Sequence, residues 1–466
     1  MKKTKIVATI GPASEDEITL IKLISSGVDV VRLNFSHGSF DEKTRVINSV
    51  RRVATKLKKQ VSILADLPGP KLRLGEIQGV MKIKKGQVVK MGTGESVDLP
   101  IPLDFTQSLQ VGQKVFVNDG LLEFVVMKVK SGEAELRAAN SGWVSSRKGI
   151  NLPDTKLQTD TFTAEDREAA LFSIKQGVEF IAMSFVQSRQ DVEELRGIIK
   201  SQKSPVRIIS KIEKPEAVRN IEEIIDASDG VMVARGDLAI ETSPSQVPLI
   251  QHKIVVLARQ KQKPVIVATQ MLESMIENPR PTRAEASDVA NAVLSQVDAV
   301  MLSAESATGK YPVEAVSTMN SIIETVEADP EFKRYIRINW EKLNLGDINF
   351  NAIVSSSASL AYRLSAPIIS VGTVTGKTAQ QLSSFRPSAL IVAMTHDEKI
   401  ARQLSLYWGV RPIIISSNAQ PELFDEEMLD IVRKSKVVKK GRIAILVWGS
   451  KIGVSGTTDT IRAVKI

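Results

Sequence analysis

Eight short apolar runs rich in β-branched residues recur between Lys5 and Glu305, each separated from the next by a stretch with helical spacing. They are KIVATIG (5–11), VDVVRLNF (28–35), VSILADL (61–67), VEFIAMSF (178–185), VRIISKIE (206–213), GVMVARGD (230–237), PVIVATQ (264–270) and AVMLSAE (299–305). Near-continuous apolar runs, rather than strict alternation, mark parallel strands covered on both faces. Eight β/α units in succession close most simply into a (β/α)8 TIM barrel, because helices between parallel strands make short right-handed crossovers.

Local signals support the helices. Ser14 with Glu17, and Ser39 with Glu42, read as capping boxes that satisfy first-turn backbone N–H groups. Pro215 and Pro281 stand at expected first-turn positions, and Gly27 and Gly177 at expected helix ends. One crossover is abnormally long: from Pro68 to about Leu157 the text changes to short β-like pieces broken by Gly, Asp and Asn. It reads as a small β-barrel lid domain (68–157) inserted into the catalytic barrel (1–67 and 158–340). A second alternating pattern (APIISVGTV, ALIVAMT, VRPIIIS, RIAILVWG, TIRAVKI) predicts a C-terminal α/β domain over 346–466.

Composition narrows the function classes. At 43% hydrophobic and 25% charged residues, the chain reads as ordinary folded protein rather than a disordered one. The apolar stretch after Lys2 and Lys3 is too short for a signal-peptide core, and no run is long enough for a membrane span. With no cysteine there is no disulfide, thiolate ligand or cysteine nucleophile, so a cytoplasmic setting is expected. The net charge of +9 is dispersed, which favours anionic metabolites over a nucleic-acid partner.

The polar residues inside the apolar runs fall at their carboxyl ends. Arg32, Asn34 and Ser36 end the second run, Asp66 the third, Lys211 and Glu213 the fifth, Arg235 and Asp237 the sixth, Thr269 and Gln270 the seventh, Ser303 and Glu305 the eighth. Strand ends turn polar wherever they meet solvent, but Lys, Glu, Arg and Asp recurring strand after strand mark the active-site rim of a barrel enzyme. Glu213 and Asp237 on adjacent strands can converge on Mg²⁺ (or Mn²⁺), with water and substrate oxygens completing the shell. Lys211, two residues before Glu213 and on the same strand face, suits stabilisation of a developing oxyanion; a mutual Lys211–Glu213 salt bridge is the competing reading.

The strings KIVATIGPAS, VDVVRLNFSHG, KGINLP, SKIEKPEA, VMVARGDL, VATQMLESM, PTRAEASDVANAV and DAVMLSAES resemble the pyruvate kinase family, in its order and over essentially the whole chain. The resemblance implies transfer of the phosphoryl group of phosphoenolpyruvate to ADP, giving pyruvate and ATP. It implies that Glu213 and Asp237 ligate the divalent metal, that Lys211 lies beside the phosphoryl and enolate oxygen, and that Arg32 grips the phosphoryl. Ala234, Arg235 and Gly236 would receive the substrate carboxylate through their backbone, and Thr269 would belong to the relay that protonates the enolate carbon, with Ser303 and Glu305 outside it. Arg73 and Lys148 would contact nucleotide phosphates, His37 would be structural, and the inserted domain would close as a lid that excludes water. The family also suggests a homotetramer.

The chain departs from the family where DLPGPKLR replaces the commoner DTKGPEIR. Leu67 stands for a threonine and Lys71 for a glutamate, although Asn34, Ser36 and Asp66 of the monovalent-cation site are kept. Lys71 is therefore expected to replace K⁺ and make it unnecessary, unless it points to solvent from the lid hinge. In the last domain TVTGKTA (373–379) and GVSGTTDT (453–460) read either as polar turns or as phosphate nests for a phosphorylated effector, with Thr373, Thr375, Gly376, Lys377 and Thr378 as contacts. A metal-dependent lyase acting through an enolate would use the same carboxylates and lysine, but has no need of a lid carrying Arg73 and Lys148.

Overall fold

A computed structural model describes residues 2–94, 96–155, 161–332, 334, 348–415, 424–434, 439–450, 454 and 456–466. The expected junctions at Leu157 and at 340–346 lie outside the described residues, as do Gly453 and Ser455 of the second glycine-rich loop. All eight apolar runs form strands: β1 (Lys5–Thr9), β2 (Val30–Asn34), β3 (Ser62–Asp66), β4 (Phe180–Met183), β5 (Arg207–Ile212), β6 (Gly230–Ala234), β7 (Val265–Ala268) and β8 (Ala299–Leu302). Every pairing among them is parallel, and β1 against β8 closes the barrel with Lys5 opposite Ala299. Along each strand alternate residues enter two different cores. Val7, Leu64, Phe180, Met232 and Ile266 fill the barrel interior, while Ile6, Ile63, Ile181 and Val267 pack outward beneath the helices.

Some helix signals operate as expected. Ser39 and Glu42 form a reciprocal capping box, Pro215 occupies a first-turn position, and Gly27 caps the first helix at φ 127°. Two do not. The first helix starts at Glu17 with Asp16 as its N-cap, because the Asp16 carboxylate accepts from Thr19 N at 2.9 Å, while Ser14 folds back on Gly11. Pro281 lies outside its helix, since Thr282 with Glu285 makes a better box and starts it at Arg283.

The inserted segment between β3 and β4 forms a six-stranded sheet and a two-stranded antiparallel ribbon (Val80–Ile83 with Gly142–Ser145). Ile83, Val89, Phe124, Leu136 and Val144 join one apolar core, as the alternating pattern of these strands requires. Near the C-terminus β9 (Ile368–Gly372), β10 (Leu390–Thr395), β11 (Val410–Ile414), β12 (Ile443–Gly449) and β13 (Thr458–Lys465) make a sheet in the order β11-β10-β9-β12-β13, antiparallel only at β13. This part stoppers the amino end of the barrel. Leu406 joins the interior core, Ser405 Oγ donates to Gln60 O at 2.9 Å, and the buried Arg386 meets Asp298 at 2.7 Å, just before β8. The carboxyl end is left for chemistry.

Candidate active site

Arg32, Asp66 and Lys211 converge from β2, β3 and β5. Asp66 is the last residue of β3 and is almost wholly buried. Arg32 Nε donates to its Oδ2 at 2.6 Å, and another guanidinium nitrogen donates to Thr9 Oγ1 at 2.9 Å. Lys211 Nζ lies 2.9 Å from Glu213 Oε1 and 3.2 Å from Asp66 Oδ1, and donates to Ser184 Oγ at 2.8 Å. Two carboxylates and one hydroxyl around the ammonium fix where its charge sits. Burial works against that charge, but Asp66 and Glu213 outweigh it and raise the lysine above its ordinary pKa. An amine held charged is no Schiff-base nucleophile; it is a stationary cation. The Lys211–Glu213 pair weighed in the sequence is present, with Asp66 as a third member.

Glu213 follows the end of β5 and is 1% exposed. Its Oε2 accepts from Phe185 N at 2.7 Å, an amide aimed by the left-handed conformation of Phe185 (φ 54°) after β4. Burial pushes this carboxyl up; Lys211 opposes the shift, and the negative charge of Asp237 adds to it. Asp237 is not on β6. The strand stops at Ala234, and RGDLAIE winds into a helix (Arg235–Glu241) whose buried residues Leu238 and Glu241 stand three apart, as on one helix face. Two carboxylates that disfavour each other's charge suit a hard cation. Among the described residues no group of three or more His, Asp or Glu is placed to hold a metal. A cation at Glu213 and Asp237 would therefore complete its shell from water and substrate, the usual manner of Mg²⁺.

Arg235 turns away from that space. Its guanidinium donates to Asp288 Oδ1 at 2.7 Å and to Thr269 O at 2.8 Å. Gly236 N donates to Thr269 Oγ1 at 2.7 Å, and a Cβ on Gly236 would stand 3.3 Å from that oxygen, close enough that the threonine would have to shift to admit it. Thr269 (φ 69°) and Gln270 (φ 53°) are both left-handed. For a β-branched threonine this is strain, of the kind that collects at functional loops. Glu305, 2% exposed, accepts from Ser303 N at 2.7 Å and Leu272 N at 3.2 Å, tying the loop after β7 to the end of β8. It positions this wall from behind.

Across the opening, Arg73 pairs with Gly149 in an isolated antiparallel bridge, and Leu74 N donates to Lys148 O at 2.9 Å. The backbone thus brings Arg73 and Lys148 together at the root of the inserted segment. Lys71 does not point to bulk solvent: Nζ lies 3.9 Å from Asp237 Oδ1 and 3.9 Å from Asp119 Oδ1. No ion pair joins it to Asp66. Asn34 accepts from Ser36 N at 3.1 Å and contacts His37, and Leu67 O accepts from Ser184 Oγ at 2.6 Å. Asp66 Oδ1 is buried without an aligned hydrogen-bond donor.

The TVTGKTA segment joins β9 to a helix (Lys377–Ser384) whose N-cap is Gly376 at φ 81°. Thr373 Oγ1 accepts from Gly376 N at 3.0 Å, Thr378 Oγ1 pairs with Thr458 Oγ1 at 3.0 Å, and Thr375 O accepts from Arg207 at 3.2 Å. One side of the loop therefore faces the second glycine-rich segment and the other faces the barrel.

Thr9, Ser184 and Asp288 were not singled out from the sequence. Thr9 and Ser184 stand at or just beyond the ends of β1 and β4, where the rule that found Asp66 applies equally, but an uncharged hydroxyl draws less notice. Asp288 lies in the middle of a helix and has no local signal.

Comparison with known proteins decides what this geometry belongs to. The family model "Pyruvate kinase, barrel domain" matches residues 1–316, and "Pyruvate kinase, alpha/beta domain" matches residues 351–464. The chain belongs to the pyruvate kinase family. Curated pyruvate kinases of Staphylococcus aureus strains MRSA252 and USA300 are each 40% identical to it over 470 aligned residues, covering 99% of this chain and 80% of theirs. Membership makes the protein a phosphotransferase on a TIM barrel. No helix among the described residues is long and apolar enough to cross a membrane.

Proposed function

We propose that this protein transfers the phosphoryl group of phosphoenolpyruvate to ADP, giving pyruvate and ATP, with Mg²⁺ or Mn²⁺ held by Glu213 and Asp237. The observation that carries the reading is Lys211, a buried ammonium held 2.9 Å from Glu213 and beside Arg32, at the carboxyl mouth of the barrel. Phosphoryl transfer asks a protein for alignment and charge neutralisation rather than covalent chemistry. When bound, the divalent cation supplies Lewis-acid charge at the phosphoryl and enolate oxygens. Arg32 grips the phosphoryl, Lys211 meets charge growing on the enolate oxygen, and the Ala234–Gly236 backbone receives the carboxylate. Thr269 belongs to the relay that protonates the enolate carbon, with Ser303 and Glu305 outside it; its bond from Gly236 N at 2.7 Å supports a fixed hydroxyl there. Arg73 and Lys148 take the nucleotide phosphates, and the inserted segment acts as the lid.

Lys71 supplies the charge that a monovalent cation gives in glutamate-bearing relatives. Its place 3.9 Å from Asp237 supports this, because a cation there adds positive charge on the metal side of the site. The TVTGKTA loop takes a phosphorylated effector, and the working unit is a homotetramer. The test is release of pyruvate from phosphoenolpyruvate in the presence of ADP and Mg²⁺, followed with a coupled dehydrogenase. Turnover that needs both ADP and the metal is expected; pyruvate formed without ADP, or none at all, overturns the assignment.

A further inference from the structure

Arg32 and Lys211 are each braced by a buried hydroxyl that has no part of its own in the catalytic reading. Thr9 ends β1 and is 4% exposed; Ser184 follows β4 and is 2% exposed. Thr9 Oγ1 accepts from Arg32 at 2.9 Å and donates to Leu302 O at 2.9 Å. Ser184 Oγ accepts from Lys211 Nζ at 2.8 Å and donates to Leu67 O at 2.6 Å. The same arrangement thus occurs on both sides of the mouth: a cation, a hydroxyl, and the carbonyl at the end of a neighbouring strand. Strand register produces both. Ala8 stands opposite Leu302 where β1 meets β8, and Leu67 N donates to Ala182 O where the chain leaves β3 beside β4.

A hydroxyl carries one proton and two lone pairs. With the proton committed to a carbonyl, only lone pairs remain for the cation, so each oxygen is an acceptor of fixed direction. Neutrality matters as well. Arg32 and Lys211 already face Asp66 and Glu213, two cations against two carboxylates. A further carboxylate at position 9 or 184 would leave the group net negative where an anionic phosphoryl must enter, whereas a hydroxyl orients a cation without cancelling its charge. Ser184 is confined from its other side, since a Cβ on Gly69 would stand only 2.6 Å from the serine Cβ.

We propose that Thr9 and Ser184 are positioning residues, Thr9 aiming Arg32 at the phosphoryl and Ser184 aiming Lys211 at the enolate oxygen. The inference rests on the catalytic reading and assigns the two hydroxyls to different stages of it. Arg32 meets a phosphoryl already present in the bound substrate, so loss of its brace weakens binding. Lys211 meets charge that grows in the transition state, so loss of its brace slows turnover.

Steady-state pyruvate formation by the full chain, with Mg²⁺, ADP and varied phosphoenolpyruvate, tests it. Thr9→Val keeps the shape but removes the acceptor, and should raise KM for phosphoenolpyruvate about tenfold, the weight of one charge-assisted hydrogen bond, with a smaller effect on kcat. Thr9→Ser should restore KM to within about twofold of wild type. Ser184→Ala should lower kcat about tenfold at nearly unchanged KM. In a Lys211→Met background the same Ser184→Ala change should lower kcat by less than about twofold, because a residue that acts through Lys211 has nothing left to position. Thermal unfolding checks that each variant folds, and the Ser184–Lys211 cycle carries the test if Thr9→Val does not fold. An equal loss from Ser184→Ala with and without Lys211 would show a merely structural hydroxyl and overturn the proposal. Wild-type kinetics in both Thr9→Val and Ser184→Ala would overturn it too while leaving the catalytic reading in place, whereas a wild type that forms no pyruvate would remove both.

Discussion

Lys211 is charged before any substrate arrives, and that fact sets what its removal should do. An ammonium already fixed by Asp66, Glu213 and Ser184 needs no reorganisation when negative charge develops nearby, so its effect is greatest in the transition state. Lys211→Met should cut kcat by ~10²–10³ with KM for phosphoenolpyruvate nearly unchanged, the signature of losing one preorganised group. Steady-state kinetics on the purified variant decides it, and wild-type kcat would sink the role. Lys71 makes a second, separable case. A unit charge about 4 Å from its partner is worth roughly 4 kcal/mol at an effective dielectric near 20, and Lys71 stands at such a distance from Asp237. In tetramethylammonium salts at fixed ionic strength the wild type should respond little to added K⁺, whereas Lys71→Glu should become strongly K⁺-activated. A many-fold K⁺ activation of the wild type would contradict the reading.

Among the elements, the short helix Arg235–Glu241 links the barrel rim to the inserted segment. It carries Asp237 near its start, and at its end Glu241 Oε1 accepts from Asn151 Nδ2 of the inserted segment at 2.8 Å, within buried surroundings. Burial raises the Glu241 pKa, with the Asn151 bond opposing that shift. A raised folded-state pKa means that the folded chain holds the proton more tightly than the unfolded one. The associated stability is complete below the unfolded value and fades as pH climbs through the folded one. Gln at 241 keeps an acceptor for Asn151 and never ionises. Glu241→Gln should therefore be more stable than wild type at pH 8, by on the order of 1 kcal/mol, and so unfold at a higher temperature, with the difference vanishing near pH 4. Scanning calorimetry at both pH values checks the sign. How much of this element was legible is instructive. The sequence located β6 because GVMVA is continuously apolar and β-branched, and it located Asp237 through the rim rule. It did not locate the change of periodicity at Arg235, nor the turn of that guanidinium towards Asp288, which comes from a helix distant in the chain. The eight strands were readable because burial on both faces writes itself into consecutive residues. The turn of Arg235 towards Asp288 and the bond from Gly236 N to Thr269 depend on neighbours that no local string contains.

At the scale of the molecule, the join between barrel and C-terminal part is a buried ion pair rather than an apolar seam alone. Arg386 reaches Asp298 through two nitrogens, at 3.0 and 2.7 Å, and Asp298 also accepts from Val265 N and Trp408 N. Removing one partner strands the other charge out of water, which typically costs about 3–5 kcal/mol. Arg386→Met is expected to lose roughly that much in urea unfolding, and a loss below about 1 kcal/mol would show the pair to be dispensable. The closure of the barrel has a consequence for how the chain is made. β1 pairs early with β2 but finds its second partner only when Ala299–Leu302 have been synthesised, and β3 pairs with β4 across the entire inserted segment. Until then both strands present open edges, the kind of surface that recruits wrong partners. The inserted strands pair only with one another, the most separated being Val80–Ile83 with Gly142–Ser145, and so can complete while the ribosome is still short of β4. A finished inserted segment would then hang from an unfinished barrel during synthesis, keeping the growing chain's longest interruption compact while the enclosing strands wait for their last member.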